Sequence, residues 1–594
     1  MLVFILTLAL GLHLNFKPAA KTVTLKADAE KLLKQATHLM DVSSAYKYGR
    51  TPLDSLQKAL IETRLGYKKL EFALAWWYPD FSEEHFNGAP LLKARLFDLL
   101  PEVVPPEGLQ VLDELVFSDN PEAEKVLIAT LGRQFYTEYS SVYQDFTART
   151  FGEDEFHLAA RAQLIRVFTL GVTGFDTPGS INAINEAYVS LAGLLKYSRQ
   201  LGTNPELDKQ FSGALQFLKQ NQDFDDFNRL EFLREYIDPL FLTLQKGDSD
   251  FQKYSSYTKG WNPRATSIFD ENLLDAYYYT ELKEKGDNKD LYTLGKTLFY
   301  DKNLSSNGNM SCANCHNPQL AFTDGLAKSP SFIEGETVQR NSPTLLNAVY
   351  GDRYFYDLRA FTLEQQAEHV IFNDLEFNTA YAEILQKLKD NKEYKVLFKK
   401  AFGKKEIGRE EFAAALSSYV LSLKSFNSPF DKYVRKESKH LPEGAERGFN
   451  LFMGKAACGT CHFAPTFAGL VPPFYNKNES EILGVLTEPD DEELDKDLGR
   501  VENQILPEKA WIYERSFKTT TVRNIALTAP YFHNGAYETL DQVVDFYNKG
   551  GGDGFGLEVK NQTLPFDELS LTEQEMSDLI AFMQTLTDTV SYKK

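Results

Sequence analysis

Residues 310–318 read MSCANCHNP, and residues 456–465 read AACGTCHFAP. Each stretch holds Cys-x-x-Cys-His. Together they use all 4 cysteines of the 594-residue chain: Cys312, Cys315, Cys458 and Cys461. Four chemical readings compete. A dithiol redox motif gives the adjacent His no task and usually sits in a βαβ unit, for which the flanking sequence shows no strands. A shared zinc site requires two distant stretches to converge. A disulfide within each pair is open to an exported chain. Covalent attachment of c-type haem uses both thiols on the porphyrin vinyls and the following imidazole on the iron. Only this reading employs the His and accounts for two copies without convergence. Two covalently bound haem c groups are therefore expected, with His316 and His462 as proximal iron ligands.

Working outward, a helix with an aromatic face precedes each motif: LGKTLFYD before the first and RGFNLFMGKAAC before the second. These parallel openings predict two units, over 285–435 and 440–594. The last helix, LTEQEMSDLIAFMQTL, opens with Thr572 and Glu575 in capping-box spacing. Upstream, LDSLQKALIETRLGYKKLEFALAWWY and AINEAYVSLAGLLKYSRQL carry apolar residues at three- and four-residue spacing. Residues 25–280 read as helices without cysteine, ending in the irregular connector SSYTKGWNPRATSIFDENLL. The expected class is all-α: two cytochrome c-type haem domains preceded by an α-helical N-terminal domain over 21–280.

Hydrophobic residues make up 43% of the chain and aromatics 13%, ample for folded cores. The formal charge of −20 argues against a nucleic-acid partner and suits a basic protein partner. The N-terminus, MLVFILTLALGLHLNFKPAAKT, has an apolar run shorter than the ~20 residues of a membrane span. It reads as a signal peptide over 1–20, with an uncleaved anchor as the alternative. No later segment reads as a membrane span, so an exported, periplasmic protein is expected.

Two haems permit a division of labour, one iron open to substrate and the other closed by a sixth ligand for electron transfer. The 25 residues after His316 contain no His and no Met. Outside the motifs, candidate ligands in the C-terminal half include His369, His440, His533, Met576 and Met583.

The ordered set CANCHNP, AFTDG, RNSPTLLNA, YFYDLRAFTLEQQ, CGTCH, FKTTTVRNIALTAPYFHNGAYETLDQVVDFYNKGG and the final helix resembles the bacterial di-haem cytochrome c peroxidase / MauG family over the last 310 or so residues. The resemblance implies reduction of hydrogen peroxide to water at the first haem. Electrons would enter through the second from a small donor protein, a cytochrome c or cupredoxin. It places a Gln and a Glu ten positions apart over the first haem; here these are Gln366 and Glu376. A carboxylate there can take a proton from one peroxide oxygen and return it to the other. The family's distal His is missing, which implies a five-coordinate first haem. The inter-haem Trp corresponds to Tyr356, and the Gly of that motif to Leu358, while Arg359 is kept. The sixth ligand of the second haem falls on Tyr547, fourteen residues after His533; MauG-type members have Tyr there. Phenolate would stabilise ferric iron. For calcium, the matching positions are Asn341, Thr528 and Pro530, all offering oxygen donors. A homodimer is expected from the family.

The N-terminal region resembles the helical extensions of some such peroxidases. GYKKLE (66–71) loosely resembles the Gly-x-His-x-x-Glu signature of imelysin-like domains, with Lys68 in place of the His, which argues against a metal. The resemblance leaves three functional readings: a peroxidase, a MauG-like oxidase of a protein substrate, and a non-enzymatic di-haem electron carrier.

Overall fold

In the helix Lys26–Lys47 the buried residues are Ala29, Leu32, Ala36, Leu39, Ser43 and Tyr46, so the spacing alternates between three and four. That stripe packs against the helices Leu53–Trp77 and Lys125–Ala148. The end of Leu53–Trp77 is buried all round, from Leu70 to Trp76, because Ala183–Leu201 and Glu153–Arg166 close its other sides. The computed structural model describes residues 21–97, 100–245, 251–403, 406–489, 491–565 and 567–588. The signal segment lies outside these residues. Among them, no helix is long and apolar enough to cross a membrane.

The described residues are helix-rich, as expected, with two short strand pairs besides. Lys93–Phe97 and Leu100–Val104 form an antiparallel hairpin, and Ser480–Ile482 pairs with Ser516–Lys518. Pro101, Pro105 and Pro106 bar a helix through the first segment, and its arm lies on Leu506–Glu508 of the C-terminal half. Everything else regular is helical, with long irregular loops around both motifs.

The two motif-bearing stretches open alike. Gly295 lies where the helix Lys289–Tyr300 crosses Arg409–Leu421, and Gly448 where Ala445–Phe452 crosses Glu573–Thr585. A methyl group at either would collide with a backbone carbonyl, of Ala415 or Asp578 respectively. The final helix does start with the capping box of Thr572 and Glu575.

Core packing does not follow chain order. One apolar cluster around the first motif includes Leu294, Leu298, Phe299, Ile384, Phe398, Phe412 and Tyr419. The largest is continuous from Leu32 and Leu70, through Trp261 and Phe269, to Phe449, Phe467 and Phe582, and a small third one holds Tyr354, Ala360, Leu363 and Val420. The N-terminal helices thus share a core with the second motif. The π-helical turn Val167–Gly171 touches Cys458–Thr460. Phe175 meets Phe463 edge to face at 5.7 Å. The buried Arg229 donates to the carbonyls of Val172, Phe227 and Phe224, and its guanidinium lies against Gly454, leaving no room for a side chain there.

Within the C-terminal half, Arg523 holds the carbonyl of Pro465 just after the second motif and forms two 2.8 Å bonds to Asp431; both side chains are 0% exposed. Burial works against the Asp431 charge, but Arg523 and the Ser428 hydrogen bonds outweigh it and hold its pKa below the ordinary value. Asp431→Ala should cost about 3–5 kcal/mol, because it strands a buried guanidinium. Denaturant unfolding at neutral pH reads this. The native pair's contribution should be full above ordinary carboxylate pKa values and fade as pH falls through the depressed one; a loss below 1 kcal/mol would contradict the pair's role.

Candidate functional site

The first attachment motif starts on a capping box, in which Ser311 and Asn314 satisfy each other's backbone N–H groups. The resulting turn, Cys312–Cys315, delivers His316 directly after it. The His316 Nδ1 lies 3.1 Å from the carbonyl oxygen of Phe322. The second motif repeats this: the His462 Nδ1 lies 3.1 Å from the carbonyl of Phe467. Both carbonyls belong to bulky residues held in the left-handed region, Phe322 at φ 60° and Phe467 at φ 49°. Such strain persists where the surroundings enforce it. A carbonyl can only accept, so each imidazole carries its proton on Nδ1, which leaves Nε2 as the nitrogen that would bind iron. Burial lowers the pKa of both rings against those carbonyl contacts, so both are neutral.

The thiols fit attachment better than redox cycling. Burial pushes Cys312 up to about 12, Cys315 up to about 11 and Cys458 up to about 12; Cys461 is also raised. Reactive dithiols need the opposite shift. No group of three or more His, Cys, Asp or Glu that could hold a metal ion occurs among the described residues, so the two pairs do not converge on zinc. The residues present fit two c-type haems.

Facing the first pair is Glu376. Burial pushes its carboxyl up to about 7, opposed by the Arg359 charge and by the Asn373 side chain, which donates to Oε1 at 2.8 Å. Its charge in turn helps raise both Cys312 and Cys315. Glu376 sits on a turn that folds back onto the helix Leu363–Phe372, with its N–H on the Asn373 carbonyl. The loop after the first motif fixes this turn: the Phe332 N–H and the Ser331 hydroxyl both donate to the Leu375 carbonyl. Gln366 lies on the same helix, half-buried. Arg359 covers the Phe355 ring at 3.5 Å and pairs with Asp357. Leu358, where the family has Gly, keeps a left-handed backbone at φ 59°. Tyr356 is half-buried at the junction of the two motif-bearing stretches, where its carbonyl accepts from the Lys518 N–H; burial raises its phenol pKa.

Tyr547 ends the helix Leu540–Asn548. Burial drives its phenol far above its usual pKa, and the nearest charges acting on it are those of Cys461, Cys458 and Glu481, which sets it beside the second attachment pair. Met583 is core, and Met576 lines a surface groove with Asp541 and Asp545. His533 stacks on Phe517 at 3.6 Å and pairs with Asp495 at 3.1 Å, a structural position between the halves. Its carbonyl accepts from the Asn341 N–H. The Asn341 Nδ2 donates to the Leu326 carbonyl at 2.8 Å.

Sequence reasoning missed Glu479 and Glu481. Both carboxyls are raised by burial, and Glu481 next repels Glu479; Glu481 reaches Cys461 and Thr563. Acidic letters ordinarily signal solvent, so nothing in the pattern marked them. In the N-terminal region the Lys68 ammonium lies 2.7 Å from Glu71 and 2.5 Å from Asp176, all three buried, so a lysine supplies the cation there.

Comparison with known proteins settles the family. Residues 289–439 match the family model for di-haem cytochrome c peroxidase. The methylamine utilization protein MauG of Methylorubrum extorquens is 34% identical over 296 residues, covering 49% of this chain and 77% of its own. The chain belongs to the di-haem cytochrome c peroxidase family. Another relative, cytochrome-c peroxidase IdrP1 of a Pseudomonas species, is 33% identical over 51% of this chain and 83% of its own length. A crystal structure of a MauG-like protein associated with microbial copper homeostasis aligns at TM-score 0.46 and 28% identity, over 52% of this chain and 93% of the other. The family implies two c-type haems, matching the two motifs. The N-terminal helices lie outside the matched region.

Proposed function

We propose that this protein reduces hydrogen peroxide to water outside the cytoplasm, using electrons from a small donor such as a cytochrome c or cupredoxin. The observation that carries this reading is Glu376, a half-buried carboxylate beside the first attachment pair with its pKa raised to about 7. Haem bound at Cys312, Cys315 and His316 would supply the site and the electrons for O–O cleavage. Glu376 takes the proton from one peroxide oxygen and gives it to the departing one. Gln366 orients the peroxide, and Arg359 limits how far the Glu376 pKa climbs. Tyr356 stands between the two motif-bearing stretches as relay. Cys458, Cys461 and His462 would hold the second haem, and Tyr547 would be its further ligand. Asn341 with the carbonyls of Thr528 and Pro530 takes calcium between the halves. The division into 21–280, 285–435 and 440–594 follows the same reading, with 1–20 as export signal.

Tyr547 favours a second reading, in which the protein oxidises side chains of a protein substrate, because a phenolate ligand stabilises the oxidised metal rather than easing its reduction. One experiment weighs both: an EPR spectrum of the oxidised holoprotein before and after hydrogen peroxide, for wild type and Tyr547→Phe. A high-spin signal lost at once to peroxide, beside a low-spin signal altered by Tyr547→Phe, is the expected result. Slow turnover with long-lived oxidised species favours the protein-oxidising reading. Two low-spin signals indifferent to peroxide would overturn both and leave an electron carrier.

A further inference from the structure

Five tyrosines gather where the connector passes between the N-terminal helices and the C-terminal half. Tyr279 is at their centre: its pKa is raised by burial and then by Tyr278, Tyr350, Tyr475 and Tyr354, so all four phenols lie within its field. Tyr279, Tyr350, Tyr354 and Tyr475 are buried; Tyr278 is 43% exposed. The rings of Tyr278 and Tyr279 meet edge to face at 5.0 Å, and those of Tyr279 and Tyr350 at 6.0 Å. The Tyr279 hydroxyl donates to the Tyr475 carbonyl at 2.6 Å, and the Tyr475 hydroxyl to the Ala464 carbonyl at 3.0 Å. Ala464 is two residues after His462. On the other side, the Tyr354 hydroxyl donates to the Tyr279 carbonyl at 3.3 Å, and Tyr354 is two residues before Tyr356.

These contacts make an unbroken path of hydrogen bonds and touching rings from beside the second attachment motif to solvent. Packing alone would be served by phenylalanine. Enclosing the Tyr350 phenol carries a desolvation cost that an apolar ring avoids, since its hydroxyl has no hydrogen-bond partner among the described residues. Tyr278 and Tyr279 also precede the family-matched residues 289–439, so the path leaves through the connector.

We propose that Tyr278 is a surface site for one-electron oxidation of small phenolic donors, fed through Tyr279; this rests on the peroxide reading above. When peroxide has oxidised the protein and no donor protein is bound, one electron passes inward from Tyr278 by way of the Tyr279 ring, which keeps its proton. The Tyr278 phenolic proton goes to water. The neutral Tyr278 radical then takes one electron and one proton from a phenol, which leaves as a phenoxyl radical. Two such events consume one peroxide and two phenols and yield two waters.

The test uses holoprotein with hydrogen peroxide and a nitroso spin trap, followed by peptide mapping, beside oxidation of a simple phenol. Wild type should carry the trap on Tyr278. Tyr278→Phe should lose that adduct and most phenol oxidation, and Tyr279→Phe should lower both several-fold, with peroxide reduction by a small donor protein unchanged in each. A haem spectrum that responds to peroxide while the trap labels other residues, or phenol oxidation indifferent to Tyr278→Phe, overturns the proposal alone. A haem spectrum that ignores peroxide overturns the peroxide reading and this one with it.

Discussion

Glu376→Gln should lower peroxide turnover by about 10²–10⁴-fold, the contribution expected of a positioned general base, with both haem groups still attached. Glutamine keeps the shape and the contact with Asn373 but cannot accept the proton. The pH dependence follows from the shift. The base is the carboxylate, and burial raises the pKa to about 7 despite Arg359. Turnover should therefore rise with pH through about 7 and level off above it, and the glutamine variant should lose that limb. Arg359→Ala removes an opposing positive charge, so its limb should move to higher pH. Steady-state turnover with a reduced small redox protein between pH 5 and 9 measures all three. A limb that persists in Glu376→Gln would assign it to another group.

The second large effect concerns the shared core. A protease site engineered into the exposed connector at Lys283–Gly286 should be cut without releasing the N-terminal helices. The two fragments should co-elute in native buffer and separate only in denaturant, because Trp261 belongs to the core that holds Phe449 and Phe467, Phe175 packs on Phe463 and Arg229 on Gly454. Dissociation in native buffer would show that the contact is a weak docking. Deleting residues 21–280 outright should be harsher. The face around Phe463, Gly454 and Tyr475 would be exposed, and covalent haem per chain should fall from two towards one, as read by a haemochrome assay. The cluster around Leu294 and Phe412 lies apart from this face, so the first attachment should survive.

What could be read from the letters was what depends on local spacing. The stripe Ala29 to Tyr46, the parallel helices before each motif and the cap at Thr572 follow from side-chain period and chemistry within a few residues. The attachment residues were legible because their chemistry needs contiguous cysteines and histidine. Their setting was not. The carbonyls of Phe322 and Phe467 that orient the two imidazoles are backbone atoms, placed by left-handed turns without glycine. Leu358 shows the same thing: a residue change that looked like a departure keeps the backbone shape. The strands Lys93–Phe97 and Leu100–Val104 were partly legible, because Pro101, Pro105 and Pro106 oppose a helix there; their seat on Leu506–Glu508 was not. Glu479 and Glu481 were invisible because burial is a property of the fold. Pairing of the N-terminal helices with the second motif instead of the first is a choice among distant partners, and no local pattern encodes it.

That last pairing has a consequence for the order in which the chain can mature. A polypeptide made from its N-terminus presents residues 21–280 first, yet the surface that completes their core includes Phe449, Phe467 and Phe582. Contacts of such sequence separation form late, after the loop-closure entropy of the intervening chain has been met. The stretch around Cys312 has a core of its own and can close early. The second stretch stays open until the final helix arrives, and the π-helical turn Val167–Gly171 and Phe175 then shut down over Cys458–Thr460. Arrival of the oldest part of the chain upon the newest thus places closure around the second cysteine pair, which itself stays half-exposed, among the last events of folding.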